Sequence, residues 1–589
     1  MSCKLTVMLS DNKYDIICEE NSRLIDILSN NSIHLSAPCG GKCFCGKCKV
    51  IVEGDTSCED AEKPFLSEDE INSGVRLACV KRITQDTVVK IPNIDNAKIA
   101  IGGIMRDTKL NPIVTKKALS LDTPRLDNSN HDLDRLLAAA GNYRINIHAL
   151  QMLGKLSAKN ITDITAVIIG DEIVAVEEGD STDTNFSVAV DIGTTTIVAY
   201  LVNLANGTVV GNASAINKQN IFGSDVISRI NHTIDTGDDT QMQKIVSGQI
   251  NSLCNELAEK HNIDKSNIYS VMLTGNTVML HFACGFSTAS ISKVPFNSVT
   301  IAPQILRPSD IGIATGIKLF LPSSFSSYVG ADITTAAAAC ALDKSEKISL
   351  LVDIGTNGEI LLGNKHKCVC CATAAGPAFE GAHIEKGIGG VSGAINKFVM
   401  DKDAGIHIET INDEPAIGIC GSGVLDIVAQ LLKYGIIDET GRMLDKSEIP
   451  QPFNAFVQGE GIDVRFYITD EIYLSAGDVR ELQLAKASIA AGINVLMKEY
   501  SATADNIETV YLAGGFGSYM NSDSAVMIGL LPKELQNKIT VCGNAAGNGA
   551  VSMLLNKDLF YNLPLLNCEY IDLSTNLDFQ TEYIDCMMF

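Results

Sequence analysis

The chain has 589 residues, a formal net charge of −24 and 18 cysteines. This length is more than one domain requires. Because the acidic residues are spread along the chain and no long basic run is present, nucleic-acid binding is disfavoured. No apolar stretch reaches the roughly 18 residues of a membrane-spanning helix, and residues 1–5 lack the features of a signal peptide. We expect a cytoplasmic protein without a membrane partner, whose cysteines are reduced thiols or metal ligands.

The N-terminal part of the chain carries the pattern of a small domain of the β-grasp type. Short apolar runs bounded by turn residues predict strands. Ser67 and Glu70 form a capping box that opens a short helix. The predicted strands are 4–9, 14–17, 48–53, 75–79 and 88–91, and a first helix carries Leu24, Ile25, Ile27 and Leu28.

A cysteine loop lies between the first helix and the third strand. Its spacing is Cys39-x5-Cys45-x2-Cys48, and Cys79 follows after thirty intervening residues. Four thiolates suit the soft, tetrahedral iron of an iron–sulfur cluster, and the loop glycines let backbone N–H groups approach the sulfurs. We predict a [2Fe–2S] ferredoxin domain over residues 1–93, with these four cysteines as the iron ligands.

Two further cysteines compete for this role less well. Cys43 is two residues from Cys45, and its use would break the spacing that such clusters show. Cys58 lies in an acidic loop. A zinc knuckle or a set of redox-reactive thiols is the alternative interpretation, and the glycine-rich loop in a β-grasp context disfavours it.

The next segment predicts a linker and a small middle domain. Residues 94–127 are polar and without sustained periodicity, which predicts a linker with one short helix. Two helices are expected between Asp132 and Ser157, and a hairpin follows with Gly170-Asp171 as its turn. We predict a small α+β domain over 128–186.

Two similar strand–turn segments follow, about 160 residues apart. Asp191-Ile-Gly-Thr-Thr-Thr196 and Asp353-Ile-Gly-Thr-Asn-Gly358 each place a carboxylate at the end of an apolar strand. Free N–H groups and hydroxyls of such turns hold phosphate oxygens, and the two carboxylates can hold Mg²⁺ through its water shell. We predict Asp191 and Asp353 as the catalytic carboxylates. The predicted phosphate-binding residues are Gly193, Thr194, Thr195, Gly355, Thr356 and Asn357.

A third element completes the pattern of an ATP site. The strand that begins at Val510 runs into glycines at a helix start, where a nucleotide can approach the backbone. Gly421-Ser-Gly423 precedes an apolar helix and fits a hinge segment between lobes. The predicted nucleotide-binding residues here are Gly421, Ser422, Gly514, Gly515 and Gly517. The order resembles the superfamily of actin, sugar kinases and heat-shock chaperone ATPases, which implies a two-lobed, ribonuclease-H-like ATPase domain over 187–589.

The whole chain resembles the family of ATP-dependent reductive activators of corrinoid proteins. The resemblance rests on the cysteine loop, the two Asp-Ile-Gly-Thr turns, and the runs Thr373–Gly381, Asp478–Lys486 and Ala513–Gly517. Cys43 departs from it, since a small residue is more usual there. The resemblance implies an ATP-dependent reductase that returns one electron to Co(II) of a corrinoid protein and restores Co(I) for methyl transfer. It also implies a low-potential electron donor and a cytoplasmic homodimer in an anaerobe.

Two other functions remain open at this point. An activator of a radical dehydratase would carry a cluster bridging two subunits, for which Cys368, Cys370 and Cys371 are the candidate ligands. A small-molecule kinase with a ferredoxin domain would use Asp353 or Asp332 as a general base. The sequence does not identify the corrinoid partner, the electron donor or the way in which ATP is coupled to electron transfer.

Overall fold

The first structural unit is a five-stranded sheet covered by short helices. The computed structural model describes residues 2–9, 12–31, 33, 35, 41, 43, 46–91, 102–125, 130–223, 225–355, 357–403, 405–563 and 567–589. The elements of the first unit are β1 (Ser2–Leu9), β2 (Asn12–Glu19), β3 (Ser22–Arg23), α1 (Leu24–Asn30), β4 (Lys49–Glu53), α2 (Glu68–Asn72), β5 (Val75–Leu77), β6 (Arg82–Ile83) and β7 (Thr87–Ile91). The sheet order is β2-β1-β7-β4-β5, with β1 and β7 parallel. This confirms the predicted β-grasp fold and the capping box of Ser67 and Glu70.

The second unit is a four-stranded sheet with two helices, and it begins earlier than predicted. Its elements are β8 (Val114–Ser120), α3 (Asp132–Ala140), β9 (Arg144–Ile145), α4 (Ile147–Ser157), β10 (Asp163–Ile169) and β11 (Glu172–Glu178). The order is β8-β10-β11-β9. The prediction of a linker with one short helix over 94–127 is wrong for β8, which pairs with β10 along its whole length. β8 is an edge strand with an exposed face, so its sequence is polar.

The rest of the described linker is docked on the ATPase domain. Ile104 N donates to Cys542 O at 3.0 Å, and Asn544 N donates to Gly102 O at 2.9 Å. The guanidinium of Arg106 is buried against the carboxylate of Asp343. These contacts hold residues 102–106 in place beside the later part of the chain.

Lobe I is a six-stranded sheet with its helices. Its elements are β12 (Phe186–Ile192), β13 (Thr196–Asn203), β14 (Thr208–Ile216), α5 (Val226–Thr236), α6 (Thr240–Lys260), β15 (Ile268–Gly275), α7 (Thr277–Cys284), β16 (Gln304–Leu306), β17 (Lys318–Leu321) and α8 (Ala331–Ala339). The order is β14-β13-β12-β15-β17-β16. β12 is antiparallel to β13 and parallel to β15.

Lobe II repeats this arrangement with insertions. Its elements are β18 (Ile348–Ile354), β19 (Gly358–Gly363), β20 (Cys368–Thr373), β21 (Ala394–Met400), β22 (Ile406–Thr410), β23 (Gly418–Ile419), α9 (Gly421–Lys433), β24 (Val457–Gln458), β25 (Arg465–Tyr467), β26 (Tyr473–Ser475), α10 (Ala476–Tyr500), β27 (Ile507–Ala513), α11 (Gly514–Gly517), α12 (Ser522–Met527), β28 (Ile539–Gly543), α13 (Ala545–Leu555), α14 (Lys557–Asn562), β29 (Cys568–Tyr570) and α15 (Leu577–Asp585). The main sheet has the order β28-β27-β18-β19-β20-β29. β18 is antiparallel to β19 and parallel to β27, as β12 is to β13 and β15. The two-lobed fold with an internal repeat is therefore confirmed.

Helix α13 joins the two lobes. It follows β28, an edge strand of lobe II, yet Ala550, Val551 and Leu554 pack in one core with Ala189 and Val198 of lobe I. A Cβ atom at Gly549 would stand 1.8 Å from the carbonyl oxygen of Thr335, so α13 and α8 are in backbone contact there. None of the helices in the described part of the chain is both long and apolar enough to cross a membrane.

Candidate iron–sulfur loop and nucleotide cleft

The described part of the cysteine loop brings two of the predicted ligands together. Cys48 leads into β4 and Cys79 follows β5, and Ala78 N donates to Cys48 O at 2.9 Å. Both side chains are buried in the core of the first unit, at 1% and 5% exposure. Gly41, with a φ of +76°, allows the loop to approach Cys79: a Cβ atom there would stand 3.8 Å from the Cys79 Cβ. Cys39 and Cys45 lie outside the described residues.

The two competing cysteines have other contacts. The Cys43 thiol donates to the carbonyl oxygen of Ala61 at 3.5 Å, and the Cys58 thiol donates to that of Glu59 at 3.6 Å. Soft sulfur donors on a tight, glycine-containing loop fit an iron–sulfur cluster. The ligand set of Cys39, Cys45, Cys48 and Cys79 stays a prediction.

Asp191 and Asp353 lie at corresponding positions of the two lobes. Asp191 is next to last in β12 and Asp353 is next to last in β18. Burial, together with the charge of Asp353, raises the pKa of Asp191 to about 7. Burial also raises the pKa of Asp353 to about 6. The two carboxylates therefore share a poorly solvated space between the lobes.

Two more carboxylates belong to this cluster. Glu359 is the partner of Asp353 across the β18–β19 ladder, and it accepts a hydrogen bond from Gly330 N at 3.4 Å. Asp332 stands in the first turn of α8. Burial and the neighbouring carboxylates raise the pKa of Asp332 and that of Glu359 well above the usual values of these groups. We call Asp191, Asp332, Asp353 and Glu359 the acidic cluster.

The first of the two predicted phosphate-binding turns is fixed by polar contacts around it. Gly193 N donates to Thr196 O at 2.9 Å, which closes the turn. Asn217 Nδ2 donates to Gly193 O at 2.8 Å. Arg229, which is fully buried, donates to Thr194 O at 2.7 Å. Because the carbonyls of Gly193 and Thr194 and the Gly193 N–H are engaged by the protein, a phosphate would have to use the other N–H groups and the hydroxyls of the turn.

The second turn and the glycine run form one surface in lobe II. Gly355 N donates to Asn357 O at 3.0 Å, while Thr356 lies outside the described residues. A Cβ atom at Gly514 would stand 2.4 Å from Asp353 Oδ1, so a side chain there would displace the carboxylate. Gly515 has nothing within 4 Å of its Cβ position. This space fits the predicted approach of a nucleotide to the backbone.

Gly421 and Ser422 begin α9. A Cβ atom at Gly421 would stand 1.7 Å from the carbonyl oxygen of Phe379, which explains the glycine. The Ser422 hydroxyl donates to Asn396 O at 2.9 Å. The described contacts of the two residues are therefore with protein, and their role toward a nucleotide stays a prediction.

The sequence did not lead to a prediction of Asn544 as a site residue, and no role was predicted for Glu359. Asn544 caps α13 by accepting from Gly547 N at 2.7 Å, and its side chain also donates to Asp191. The signal was present in Gly543-Asn-Ala-Ala-Gly547, a second glycine-containing run after a strand. Glu359 could have been found because it is the strand partner that a tight turn brings opposite Asp353.

The thiols proposed for a bridging cluster are core residues. Cys368, Cys370 and Cys371 are each no more than 1% exposed in β20. Cys368 is hydrogen-bonded to the Cys568 thiol, which raises its pKa. In the described residues no group of three or more His, Cys, Asp or Glu side chains is arranged to ligate a metal ion directly. A cluster at the Cys368–Cys371 run is therefore disfavoured.

The fold and the two sites define a class of protein, a ferredoxin joined to a two-lobed ATPase. Comparison with family models agrees: residues 7–84 match a 2Fe-2S iron-sulfur cluster binding domain, and 347–589 match the C-terminal domain of RACo, the ASKHA domain. Residues 103–183 match the RACo linker region and 186–345 the RACo middle region. The chain belongs to the RACo family of reductive activators of corrinoid proteins, and an iron–sulfur cluster and ATP are its cofactors.

Individual relatives are similar over most of their length. The corrinoid activation enzyme RamQ of Eubacterium limosum is 28% identical over 98% of this chain and 97% of its own. The [Co(II) methylated amine-specific corrinoid protein] reductase of Methanosarcina barkeri is 22% identical over 68% of this chain and 76% of its own. A solved structure of a reductive activator for corrinoid, iron-sulfur protein is 29% identical, covers 100% of this chain and 98% of its own, and gives a TM-score of 0.74.

Proposed function

We propose that this protein is an ATP-dependent reductase that activates a corrinoid protein. It passes one electron to inactive Co(II), restores Co(I) and so supports methyl transfer. The observation that carries the proposal is the match to a reductive activator for corrinoid, iron-sulfur protein over the whole chain. A kinase or a chaperone ATPase would explain the cleft but would leave the cysteine loop without a use.

The electron is carried in the N-terminal domain. We propose that Cys39, Cys45, Cys48 and Cys79 hold a [2Fe–2S] cluster, which stores one electron at a potential of about −400 mV in plant-type ferredoxins. Cys48 and Cys79 support this through their burial and their neighbouring backbone positions. A separate low-potential donor must reload the cluster after each transfer, because ATP hydrolysis supplies no electron.

The nucleotide is held in the cleft between the lobes. We propose that Asp191 and Asp353 hold the water shell of Mg²⁺, with the phosphates on the two Asp-Ile-Gly-Thr turns. The raised pKa of each carboxylate supports this, since burial and mutual repulsion of the acidic cluster make a bound cation favourable. The protein's own part is to fix both turns and to limit access of water. We also propose that the protein is a cytoplasmic homodimer.

The test is anaerobic reduction of a purified Co(II) corrinoid protein, followed by the loss of the Co(II) absorption, with and without Mg·ATP. Asp191→Asn and Asp353→Asn keep the side-chain size and remove the charge. We expect each to lower the ATP-dependent rate by at least about 100-fold, the usual loss when a key electrostatic group is removed. The visible spectrum of the cluster and its reduction by dithionite should stay unchanged.

Asp235→Asn is the matched control, because Asp235 is an exposed carboxylate of α5 in the same lobe as Asp191. It should keep the full rate. If Asp353→Asn reduces cobalt at the wild-type rate with the same need for ATP, the two turns are not the ATP site. If the wild-type protein reduces no corrinoid protein yet hydrolyses ATP, the proposed substrate is wrong.

A further inference from the structure

The cysteine loop of the ferredoxin domain is in direct contact with the ATPase domain. Lys47, between Gly46 and the predicted ligand Cys48, donates from Nζ to Ile384 O at 3.1 Å and to Gly387 O at 2.7 Å. A lysine ammonium has three donors, and hydrogen bonds from a charged donor are stronger than neutral ones. Both acceptors belong to one short turn of lobe II, residues 384–387, which we call the docking turn.

The docking turn is closed and tied to a neighbouring strand. Gly387 N donates to Ile384 O at 3.0 Å, so this carbonyl receives both the turn hydrogen bond and Lys47. Ile419 N in β23 donates to Lys386 O at 2.9 Å, and Ile388 N returns a hydrogen bond to Ile419 O at 2.9 Å. The turn therefore has a fixed position relative to β23.

The docking turn is also anchored to α10, through a residue that the family resemblance singled out. Asp478 accepts from Glu385 N at 2.7 Å, in addition to capping α10 itself. The Glu385 carboxylate accepts from the Tyr473 hydroxyl at 2.8 Å and faces Arg465 at 3.6 Å. These contacts give the Asp478–Lys486 run a structural task at the domain boundary.

The same turn is connected to the wall of the nucleotide cleft. Ile419 is two residues before Gly421, the first residue of α9, and Gly421 packs on the backbone of Phe379. The ring of Phe379 lies 4.8 Å from that of Phe516, centroid to centroid. Phe516 belongs to the glycine run Gly514–Gly517. A nucleotide that moves either element would act on the docking turn through packed, hydrogen-bonded groups.

We propose that Lys47 docks the cluster loop on the docking turn and that the nucleotide state of the cleft controls this contact. Lys47 is then a positioning residue: it fixes where the predicted cluster lies relative to the ATPase domain. The partner surface is the pair of backbone carbonyls of Ile384 and Gly387. This inference deepens the proposed function by assigning the place at which ATP and the electron carrier meet, but the docking itself requires no corrinoid protein.

The first experiment uses acetylation of lysine amines in the full-length holoprotein, with the rate at each lysine read by mass spectrometry. Glu385→Ala and, separately, Asp478→Asn loosen the docking turn in the ATPase domain. We expect the acetylation rate of Lys47, in the ferredoxin domain, to rise about tenfold, because each charged hydrogen bond lost exposes the amine. Lys49 is the internal control, since it is paired with Glu70 of its own domain at 2.7 Å.

The reciprocal experiment changes the lysine and observes the turn. Lys47→Ala should speed hydrogen–deuterium exchange of the amides of residues 385–388, while Lys47→Arg, which can still donate to two carbonyls, should restore protection. Lys49→Ala should leave this exchange unchanged. The visible and EPR spectra of the cluster should be the same in all variants, which separates loss of docking from loss of the cluster.

The last experiment compares the protein with and without bound nucleotide. Adding ADP or the non-hydrolysable analogue AMPPNP should change the acetylation rate of Lys47 and leave that of Lys49 as it was. The proposal is overturned if Lys47 reacts at one rate in wild type, Glu385→Ala and Asp478→Asn, or if nucleotide leaves it unchanged. Because these measurements contain no corrinoid protein, failure of docking and failure of corrinoid reduction are seen separately.

Discussion

At the scale of single residues, the acidic cluster concentrates buried carboxylates in one place. Four carboxylates share one poorly solvated space, and burial raises the pKa of each. A carboxylate that lies beside other carboxylates is less stable in its ionised form. Such an arrangement lowers the stability of the nucleotide-free protein and is favourable only with a cation between the lobes. The cluster therefore indicates a binding site rather than a structural network.

The pH dependence of stability follows from these shifts. An aspartate in the unfolded chain titrates near 4, whereas in the folded protein the pKa is about 7 for Asp191 and about 6 for Asp353. Between these values the folded state binds more protons, so the free energy of unfolding falls as the pH rises from about 4 to about 7. Without nucleotide, Asp353→Asn should therefore unfold at a temperature at least about 2 °C above wild type at pH 8.

The measurement is thermal unfolding of both proteins from pH 5 to pH 8, with Asp235→Asn as the control. The difference between Asp353→Asn and wild type should grow with pH, and Asp235→Asn should follow wild type. Mg·ATP should stabilise wild type more at pH 8 than at pH 5. Parallel curves for wild type and Asp353→Asn would contradict the assigned cause.

The cysteine ligands give a second test at this scale. Cys79→Ala and Cys48→Ala should lose the visible absorption and bound iron, because a [2Fe–2S] cluster needs four thiolates. Cys43→Ala and Cys58→Ala should keep both, since the Cys43 thiol donates to Ala61 O and the Cys58 thiol to Glu59 O. Iron analysis and absorption after anaerobic reconstitution check this. A bleached Cys43→Ala protein with an intact Cys79→Ala spectrum would reassign the ligands.

At the scale of elements, two adjacent glycines of α11 should separate structure from binding. Gly514 has a φ of +85°, and a Cβ atom there would meet Asp353. Gly514→Ala should lower both the unfolding temperature of the nucleotide-free protein and its nucleotide affinity, the latter by at least about tenfold. Gly515 has free space, so Gly515→Ala should keep the unfolding temperature and weaken nucleotide binding alone.

Calorimetric titration with AMPPNP and thermal unfolding measure the two effects. Wild-type affinity in Gly515→Ala would show that the nucleotide does not approach this stretch of backbone. Wild-type stability in Gly514→Ala would show that the carboxylate of Asp353 can move aside without cost.

Most elements could be predicted from the sequence because apolar periodicity marks strands that face a core. β8 was not predicted, although it pairs along its length with β10. One face of this strand is exposed, and the strand contains polar residues such as Lys116, Lys117 and Ser120, so its sequence lacks the apolar pattern of a strand. Lys116 is in fact buried, since its amine pairs with Glu177 and stacks on the ring of Tyr269. The ion pair joins two strands of the second unit and the contact with Tyr269 reaches lobe I, so both depend on residues far away in the sequence.

A candidate site could be proposed from the sequence where its residues belong to continuous motifs. Asp191 and Asp353 lie at strand ends with the same four-residue pattern, so the repeat itself made them candidates. Asp332 and Asn544 reach the cleft from the starts of two helices that become neighbours only in the folded chain. The contact between Lys47 and the docking turn could not be predicted either, because the two are more than 300 residues apart in the sequence.

At the scale of the whole molecule, residues 102–106 form a strap that is hydrogen-bonded to the ATPase domain. Arg106 is paired with Asp343 and is 7% exposed. Arg106→Ala would leave a partly buried carboxylate unpaired, which costs up to about 3 kcal/mol of local stability. Cleavage between residues 102 and 120 by a protease other than trypsin, for example thermolysin, should be slow in wild type and fast in Arg106→Ala.

Lys109→Ala is the control, because Lys109 is an exposed cation three residues further along the same segment. It should be cut as slowly as wild type. Equal cleavage of wild type and Arg106→Ala within this stretch would mean that the strap is open in solution. The Gly102–Asn544 hydrogen bond, which links the strap to a side-chain partner of Asp191, would then have no part in holding the cleft.

The position of α13 has a consequence for biosynthesis. Its residues Ala550, Val551 and Leu554 cover apolar side chains of β12 and β13, yet the ribosome makes them only after most of lobe II. At 5–20 residues per second, that delay is roughly 10 to 40 s. During this time the nascent lobe I presents an uncovered apolar face, which is a surface for trigger-factor-type chaperones and for misassembly. Lobe I is thus a folding unit only in the finished chain, and the two lobes must mature together.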